Sequence, residues 1–143
     1  VGGYINAVYS LGRFTLSGRL NYYRVSEEGE SFKTLPEFDI RTSLVYRGLL
    51  FNGALDLQVK LEAEYITDQF GVEFDPETFF STRQDFARIG PSGVLHGSII
   101  GKIGSAYIHI TYRNIAGTEY MITPFYPMPA SYLRFGVTWE FLN

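Results

Sequence analysis

The amino-acid sequence predicts an all-β fold: an antiparallel meander of seven strands that forms part of a transmembrane β-barrel. Three observations lead to this prediction. Apolar and polar residues alternate with a period of two in every strongly patterned segment, and no segment shows the 3.6-residue period of a helix. Tight turns alternate with long loops along the chain. Aromatic residues make up 17% of the 143 residues and gather near the predicted strand ends.

Seven segments have the alternation of a strand and the length to cross a bilayer at a tilt, which takes about 9–11 residues. They cover 2–10, 13–25, 37–51, 54–66, 94–103, 106–115 and 131–141. Tight turns are expected at 11–12, 52–53 and 104–105. The segments between the hairpins are longer and hold all six prolines, which indicates loops at 26–36, 67–93 and 116–130.

The Asn52-Gly53 pair predicts the central hairpin, because both residues tolerate the positive φ that a type I′ turn requires. Pairing 51 with 54 makes one face apolar and the other polar, and a slip of one residue would destroy this separation. The apolar pairs are Leu50 with Leu55, Tyr46 with Val59, Leu44 with Leu61 and Ile40 with Tyr65. The polar pairs are Arg47 with Gln58, Ser43 with Glu62 and Arg41 with Glu64, so opposite charges face each other.

Two further turns extend the meander. The turn at Gly104-Ser105 pairs Ile99 with Ile110, Gly101 with Ile108 and Gly97 with Tyr112 on one face. On the other face it pairs His96 with Arg113, Ser98 with Thr111, Ile100 with His109 and Lys102 with Tyr107. The turn at Leu11-Gly12 pairs Tyr9 with Phe14 and Ala7 with Leu16.

A soluble barrel and a membrane barrel differ in whether the apolar face of the sheet points to the interior or to lipid. A soluble barrel or sandwich turns its apolar face inward, whereas an outer-membrane barrel turns it to lipid and lines the lumen with polar residues. Strand length, the alternation of turn and loop, and the aromatic strand ends favour the membrane barrel and an outer-membrane location. The residues predicted at lipid or its interfaces are Tyr9, Phe14, Tyr22, Phe51, Tyr65, Tyr112, Trp139 and Phe141. The residues predicted to face the lumen are Arg13, Arg19, Arg41, Arg47, Lys60, Glu62, Glu64, His96, Lys102, His109, Arg113 and Arg134.

The charges divide unevenly between the predicted lumen and the loops. The lumen face holds eight basic and five acidic residues, a balance of +3 that leaves −6 for the loops and strand ends. A cationic wall below acidic loops would favour anionic solutes. Solvation and cross-strand pairing of lumen charges explain the same pattern without any selectivity.

Composition excludes several classes of function. The chain has no Cys, which removes disulfide scaffolds, cysteine zinc sites and iron–sulfur clusters. A net charge of −3 argues against nucleic-acid binding. His96, Ser98 and His109 share one predicted face, but no acid faces them to orient a base, so no catalytic centre is expected. The loop acids Asp68, Glu73, Asp75 and Glu77 lack the spacing of a calcium loop, so no metal or other cofactor is expected.

The predicted loop at 67–93 also carries aromatic residues. Phe79, Phe80 and Phe86 are too apolar for a purely solvated loop. They would fold over the mouth of a pore, grip a ligand or pack against a partner.

The C-terminal third resembles the end of TonB-dependent outer-membrane receptors, most closely the receptor-like barrels of Bacteroidetes. The residues that carry the resemblance are Asn114, Gly117-Thr118-Glu119-Tyr120, Thr123-Pro124-Phe125-Tyr126-Pro127-Met128-Pro129 and the final run from Leu133 to Phe141. The sequence departs from that pattern at Ala130-Ser131, where Gly-Arg is usual, and at Leu142 and Asn143, which follow the terminal aromatic residue.

The resemblance implies a barrel of 22 strands, plugged by an N-terminal domain and energised through TonB. It also implies that the barrel-assembly machinery reads Trp139 and Phe141, although both residues would serve equally as lipid anchors. Transport of a nutrient across the outer membrane is therefore the leading functional hypothesis. A porin without a plug, or a structural component that anchors a surface complex, is the alternative.

Seven strands do not close a single-chain barrel, because such barrels have an even number of strands with both termini in the periplasm. We therefore expect residues 1–143 to form one segment, the C-terminal part of a larger barrel. The alternative is an eight-stranded barrel with an irregular strand near 69–74. As part of a larger barrel, the segment would need further strands or another chain for closure, and the lipid bilayer is its expected environment.

Overall fold

The computed structural model describes residues 1–24, 34–84 and 86–141. Within these residues, eleven strands follow one another: Gly2–Leu11 (β1), Phe14–Tyr23 (β2), Phe38–Leu50 (β3), Leu55–Ile66 (β4), Val72–Phe74 (β5), Ser81–Arg83 (β6), Ser92–Ile103 (β7), Ala106–Arg113 (β8), Met121–Thr123 (β9), Tyr126–Pro127 (β10) and Tyr132–Trp139 (β11). The seven long strands form one antiparallel sheet in the order β1-β2-β3-β4-β7-β8-β11. The predicted all-β meander of seven strands is confirmed.

Some predictions lie outside the described residues. These are residues 26–33 of the loop predicted at 26–36, together with Leu142 and Asn143. Among the residues that the structure describes, no helix has the length and hydropathy of a membrane span.

The central hairpin, β3–β4, has the predicted register. Leu44 lies opposite Leu61, and Leu50 lies opposite Leu55. The turn between them forms because Asn52 (φ 56°, ψ 32°) and Gly53 (φ 91°) both adopt positive φ. The N–H of Ala54 donates a hydrogen bond to the carbonyl oxygen of Phe51 over 3.1 Å, as in the predicted type I′ turn. Phe51 also takes a positive φ of 52°, so the ladder ends at Leu50 and Leu55, one pair short of the predicted pair of residues 51 and 54.

The β7–β8 hairpin also has the predicted register, with Ile99 opposite Ile110. Its ladder ends at Gly97 and Tyr112, one pair short of the predicted pair of His96 and Arg113. The strand predicted to continue to 115 stops at Arg113, because Asn114 takes a positive φ of 52° that interrupts the extended backbone.

The predicted register of β1–β2 is wrong by two residues. Tyr9 lies opposite Leu16 rather than Phe14, and Leu11 lies opposite Phe14. The turn consists of Gly12 and Arg13 instead of Leu11 and Gly12, because Gly12 (φ 57°) enters the turn first. A shift of two residues preserves the side-chain alternation, so each residue keeps its predicted face.

The pairing registers separate the long strands into two faces. The first, which we call the apolar face, carries no charged side chain along the seven described long strands. The second, which we call the charged face, carries every charged residue of those strands. The chain leaves the apolar face uncovered: Phe14 is 50% exposed, Trp139 58% and Phe135 69%.

The loop between β4 and β7 (the first loop) and the loop between β8 and β11 (the second loop) pack together at one end of the sheet. Gln69 and Ile89 form a bridge within the first loop, and Gln84 donates hydrogen bonds to the carbonyl oxygens of that loop. Phe86 stacks on Phe125 of the second loop, with ring centroids 6.0 Å apart. The irregular strand expected near 69–74 is β5, which pairs with β6 outside the main sheet and adds no eighth strand to it.

Candidate functional site: the charged face of the sheet

The charged face brings together the residues that the sequence predicts at a lumen. Eleven of these twelve residues lie in the long strands and point to the charged face. The twelfth, Arg13, lies in the β1–β2 turn. The eleven are Arg19, Arg41, Arg47, Lys60, Glu62, Glu64, His96, Lys102, His109, Arg113 and Arg134. Within the long strands, seven basic side chains accompany four acidic ones, so the face carries an excess of positive charge.

Two ion pairs of this face each run along a single strand. Arg41 Nε lies 3.2 Å from Asp39 Oδ1, and Lys60 Nζ lies 2.7 Å from Glu62 Oε1. Each pair joins residues i and i+2 of one strand, which point to the same side of the sheet. The sequence correctly predicts Arg41 opposite Glu64, but the side chain of Arg41 turns to its neighbour on the same strand instead.

Hydrogen bonds between neighbouring strands complete the polar surface. Arg47 Nε donates to Gln58 Oε1 over 2.9 Å, and Arg19 Nε donates to Asn6 Oδ1 over 2.9 Å. Lys102 lies 3.6 Å from Glu140. The surface is therefore polar and partly paired, as the lumen wall of an outer-membrane barrel is.

The loop after β8 folds over one end of the charged face and borders an open cavity of about 270 Å³, which we call the loop-end cavity. Its wall consists of Glu64, His96, Arg113, Asn114, Tyr120, Met128, Pro129, Tyr132 and Arg134. The sequence places the charged members of this set on one face, but the covering by the loop carries no periodic signal and was not predicted.

His96 and Asn114 form the buried base of the loop-end cavity, with exposures of 6% and 1%. The backbone N–H of Asn114 donates to His96 Nδ1 over 3.0 Å. An Nδ1 that accepts a hydrogen bond carries no proton, so the imidazole is neutral and protonated at Nε2. Nε2 lies 4.0 Å from Glu64 Oε1, which corrects the expectation that no acid faces His96.

Serine chemistry nevertheless has no assembled site here. Ser98 lies opposite Lys60 in one ladder and opposite Thr111 in the other. Within the described part of the chain, no hydrogen bond joins Ser98 to His96, so the serine has no base in contact with it.

Asn114 is the residue whose role sequence reasoning missed. Its side-chain Oδ1 accepts the N–H of Thr118 over 3.0 Å, and its Nδ2 donates to the Thr118 carbonyl over 2.8 Å. Its own carbonyl accepts the N–H of Gly117 over 2.9 Å. The available signal was an Asn at the end of a strand, because Asn tolerates positive φ and bonds to nearby backbone.

Tyr120 projects from this loop into the cavity. Burial raises the pKa of its hydroxyl above the ordinary value of 10.0, and the negative charge of Glu64 raises the pKa further. The hydroxyl is therefore a stable hydrogen-bond donor at neutral pH.

Comparison with known proteins decides the family. Residues 3–143 match a family model described as "Putative porin". The chain belongs to this porin family. No curated protein and no solved structure matched the chain.

This porin chain is accordingly a porin-like β-protein of the outer-membrane type. The match does not extend to the finer prediction of a TonB-dependent receptor, which stays a prediction. The porin family is typically non-enzymatic.

The predicted membrane-facing aromatics of the porin chain lie on the apolar face or at its margins. Tyr9, Phe14, Tyr22, Tyr65, Tyr112 and Trp139 belong to the apolar face of their strands. Phe51 lies in the β3–β4 turn, and Phe141 lies two residues beyond β11. Phe14 contacts Tyr46 and Tyr22 contacts Phe38, with ring centroids 5.1 and 5.2 Å apart.

The acidic loop residues are used locally. Asp75 accepts hydrogen bonds from the Thr78 hydroxyl over 2.7 Å and from the Glu77 N–H over 2.9 Å, which lowers the pKa of its carboxyl. Asp68 forms an ion pair with Arg88. Across residues 1–24, 34–84 and 86–141, no three His, Asp or Glu side chains converge as a metal site.

Proposed function

We propose that this chain forms part of the wall of an outer-membrane pore that passes small polar solutes. In this proposal the charged face lines the lumen and the apolar face contacts lipid. One observation carries the proposal: every charged residue of the seven described long strands lies on one face, while the other face is apolar and uncovered.

The apolar face supports contact with lipid rather than a soluble core. Leu61 at its centre is 44% exposed, and Phe135 near one edge is 69% exposed. Exposure of such a continuous apolar surface to water is unfavourable in free energy, whereas contact with lipid tails is not.

The two edges of the sheet support a larger barrel. β1 and β11 are the outermost strands of the described sheet. They do not pair with each other, so the sheet is open. An unpaired edge leaves backbone N–H and C=O groups without partners, which a bilayer does not tolerate. We propose that further strands, or another chain, close the barrel next to β1 and β11.

A second candidate function is active uptake through a TonB-dependent receptor. It rests on the sequence from Asn114 to Phe141, which resembles the end of such receptors. In that case a plug would block the lumen and the TonB system would energise passage. The barrel-assembly machinery would read the aromatic end of the last strand in either case.

Reconstitution of the full-length protein tests the pore. We expect stepwise ionic currents in planar bilayers and swelling of liposomes in small neutral sugars. Absence of both, with the folded protein inserted, would contradict a passive pore and favour the anchoring role.

Uptake in cells separates the two transport candidates. A passive pore continues to admit a small polar solute after the proton-motive force is collapsed. Loss of uptake under that treatment, with the barrel still present in the outer membrane, would support the TonB-dependent alternative instead.

A further inference from the structure

The loop-end cavity concentrates cationic groups around one aromatic ring. Arg113 of β8 lies directly opposite Tyr132 of β11, and Arg134 lies two residues further along β11. The guanidinium carbon of Arg134 lies 5.0 Å from the centroid of the Tyr132 ring. Arg113 and Arg134 both line the cavity, so it holds two arginine side chains, and the guanidinium group of Arg134 stacks on Tyr132.

Neither guanidinium group has a carboxylate partner in the described part of the chain. Among the described residues, no carboxylate oxygen lies within 4.0 Å of Arg113 or Arg134. The acid in the cavity wall, Glu64, lies next to neutral His96. The cavity therefore carries a net positive charge, in contrast to Arg41 elsewhere on the charged face, which has a carboxylate partner at 3.2 Å.

The remaining wall suits a solute with a carbon skeleton. Tyr120 provides a protonated hydroxyl, Tyr132 an aromatic face, and Met128 and Pro129 apolar contacts. The volume of about 270 Å³ lies just below the range of about 300–1,000 Å³ that is usual for ligand pockets, which favours a small occupant. Asn114 holds the covering loop through its bonds to Thr118, so the wall is organised before any solute arrives.

We propose that the loop-end cavity is a binding subsite for a small carboxylate-bearing solute, such as a sugar acid. Arg113 and Arg134 bind the carboxylate, because a guanidinium group donates two parallel hydrogen bonds to it. The ring of Tyr132 and the Tyr120 hydroxyl contact the carbon skeleton and its hydroxyl groups. This inference rests on the proposed function, since the subsite lies on the wall of the proposed pore.

Calorimetric titration of the full-length protein in nanodiscs tests the subsite, with glucuronate as the probe and glucose as its neutral counterpart. We expect glucuronate to bind, and the double substitution Arg113→Gln with Arg134→Gln to weaken binding by about tenfold or more. Arg47→Gln is the matched control, because it removes a cation from the same face outside this cavity. The control should bind glucuronate as the parent does.

Three results would overturn the subsite: equal binding by the double variant and the control, equal binding of glucose, or tighter binding of inorganic phosphate than of glucuronate. Arg134→Lys provides a second variant that keeps the charge if the double variant does not fold. It should still weaken binding, because an ammonium group lacks the planar fork.

Conductance separates this inference from the proposed function. Glucuronate binding without any ionic current would keep the subsite and overturn the pore. Ionic current with glucuronate binding unchanged between parent and double variant would keep the pore and overturn the subsite.

Discussion

The backbone N–H of Asn114 donates a hydrogen bond to His96 Nδ1, which joins the end of β8 to the charged face of β7 over 3.0 Å. Both residues are buried, although the face on which they lie is the polar one. The reason is the loop after β8, which returns over this end of the sheet and excludes solvent. This bond and the hydrogen bond from the Ile115 N–H to the Leu95 carbonyl oxygen (2.8 Å) connect β7 to the start of the loop that forms the cavity.

Replacement of Asn114 tests its role as the anchor of this loop. Asn114→Ala should lower the free energy of unfolding by about 1–3 kcal/mol, because it removes two buried side-chain hydrogen bonds and places a non-Asn residue at positive φ. Urea unfolding in detergent micelles measures the change. Asn114→Gly is the matched control that tolerates the φ of 52°, so it should lose less stability than Asn114→Ala. Equal losses would remove backbone strain from the explanation.

The ionisation of Tyr120 tests the enclosure of the cavity. Its pKa is raised above 10.0, first by burial and then by the charge of Glu64, so the neutral hydroxyl is favoured in the folded state. The stabilisation is complete below pH 10 and is lost as the pH rises through the folded-state pKa. The parent and Tyr120→Phe should therefore differ, in ultraviolet absorbance of tyrosinate, only above pH 10. A difference that develops below pH 10 would contradict the burial of this hydroxyl.

A charge at the centre of the apolar face tests the contact with lipid. Leu61→Arg should impair insertion, since an arginine at the bilayer midplane costs about 2–4 kcal/mol in such barrels. Glu62→Arg is the matched control: it introduces the same side chain one residue away, on the charged face. The fraction of protein that is folded and resistant to protease in liposomes measures insertion. Equal insertion by the two variants would argue against different environments for the two faces.

Trp139 reports on the apolar face without any substitution, because it is the only tryptophan in the chain. It is 58% exposed at the end of β11. Lipids brominated near the headgroup should quench its fluorescence more strongly than lipids brominated at the chain terminus, as expected for an interfacial position. Fluorescence that neither lipid quenches, but aqueous iodide does, would place Trp139 in water.

The hairpins with two strong turn residues were predictable, and the β1–β2 register was not. Asn52-Gly53 allows one turn, and the alternation around it permits one register. Gly12 allows a turn with either neighbour, and the two registers differ by two residues, which leaves the hydrophobic pattern unchanged. Periodicity alone therefore cannot distinguish Tyr9 opposite Phe14 from Tyr9 opposite Leu16.

The two faces of the sheet were predictable because side chains alternate regularly along a strand. The cavity was not predictable, because the loop that borders it has no regular period. Side-chain alternation assigns Arg113 and Arg134 to one face without any knowledge of the loops. The position of Tyr120 depends on a loop without regular period, held by the side chain of Asn114. Ion pairing also depends on the choice of rotamer, so Arg41 contacts Asp39 of its own strand although Glu64 lies opposite.

We propose that one face of the sheet contacts lipid and the other contacts water. Site-directed labelling can measure this directly, because the 143 residues contain no cysteine. Single cysteines at each position from Val59 to Glu64, labelled with a nitroxide in the reconstituted full-length protein, report collisions with oxygen from lipid and with a nickel chelate from water. We predict a period of two: residues 59, 61 and 63 are accessible to oxygen, and residues 60, 62 and 64 to the chelate. Chelate access at 59, 61 and 63, or no alternation along β4, would contradict it.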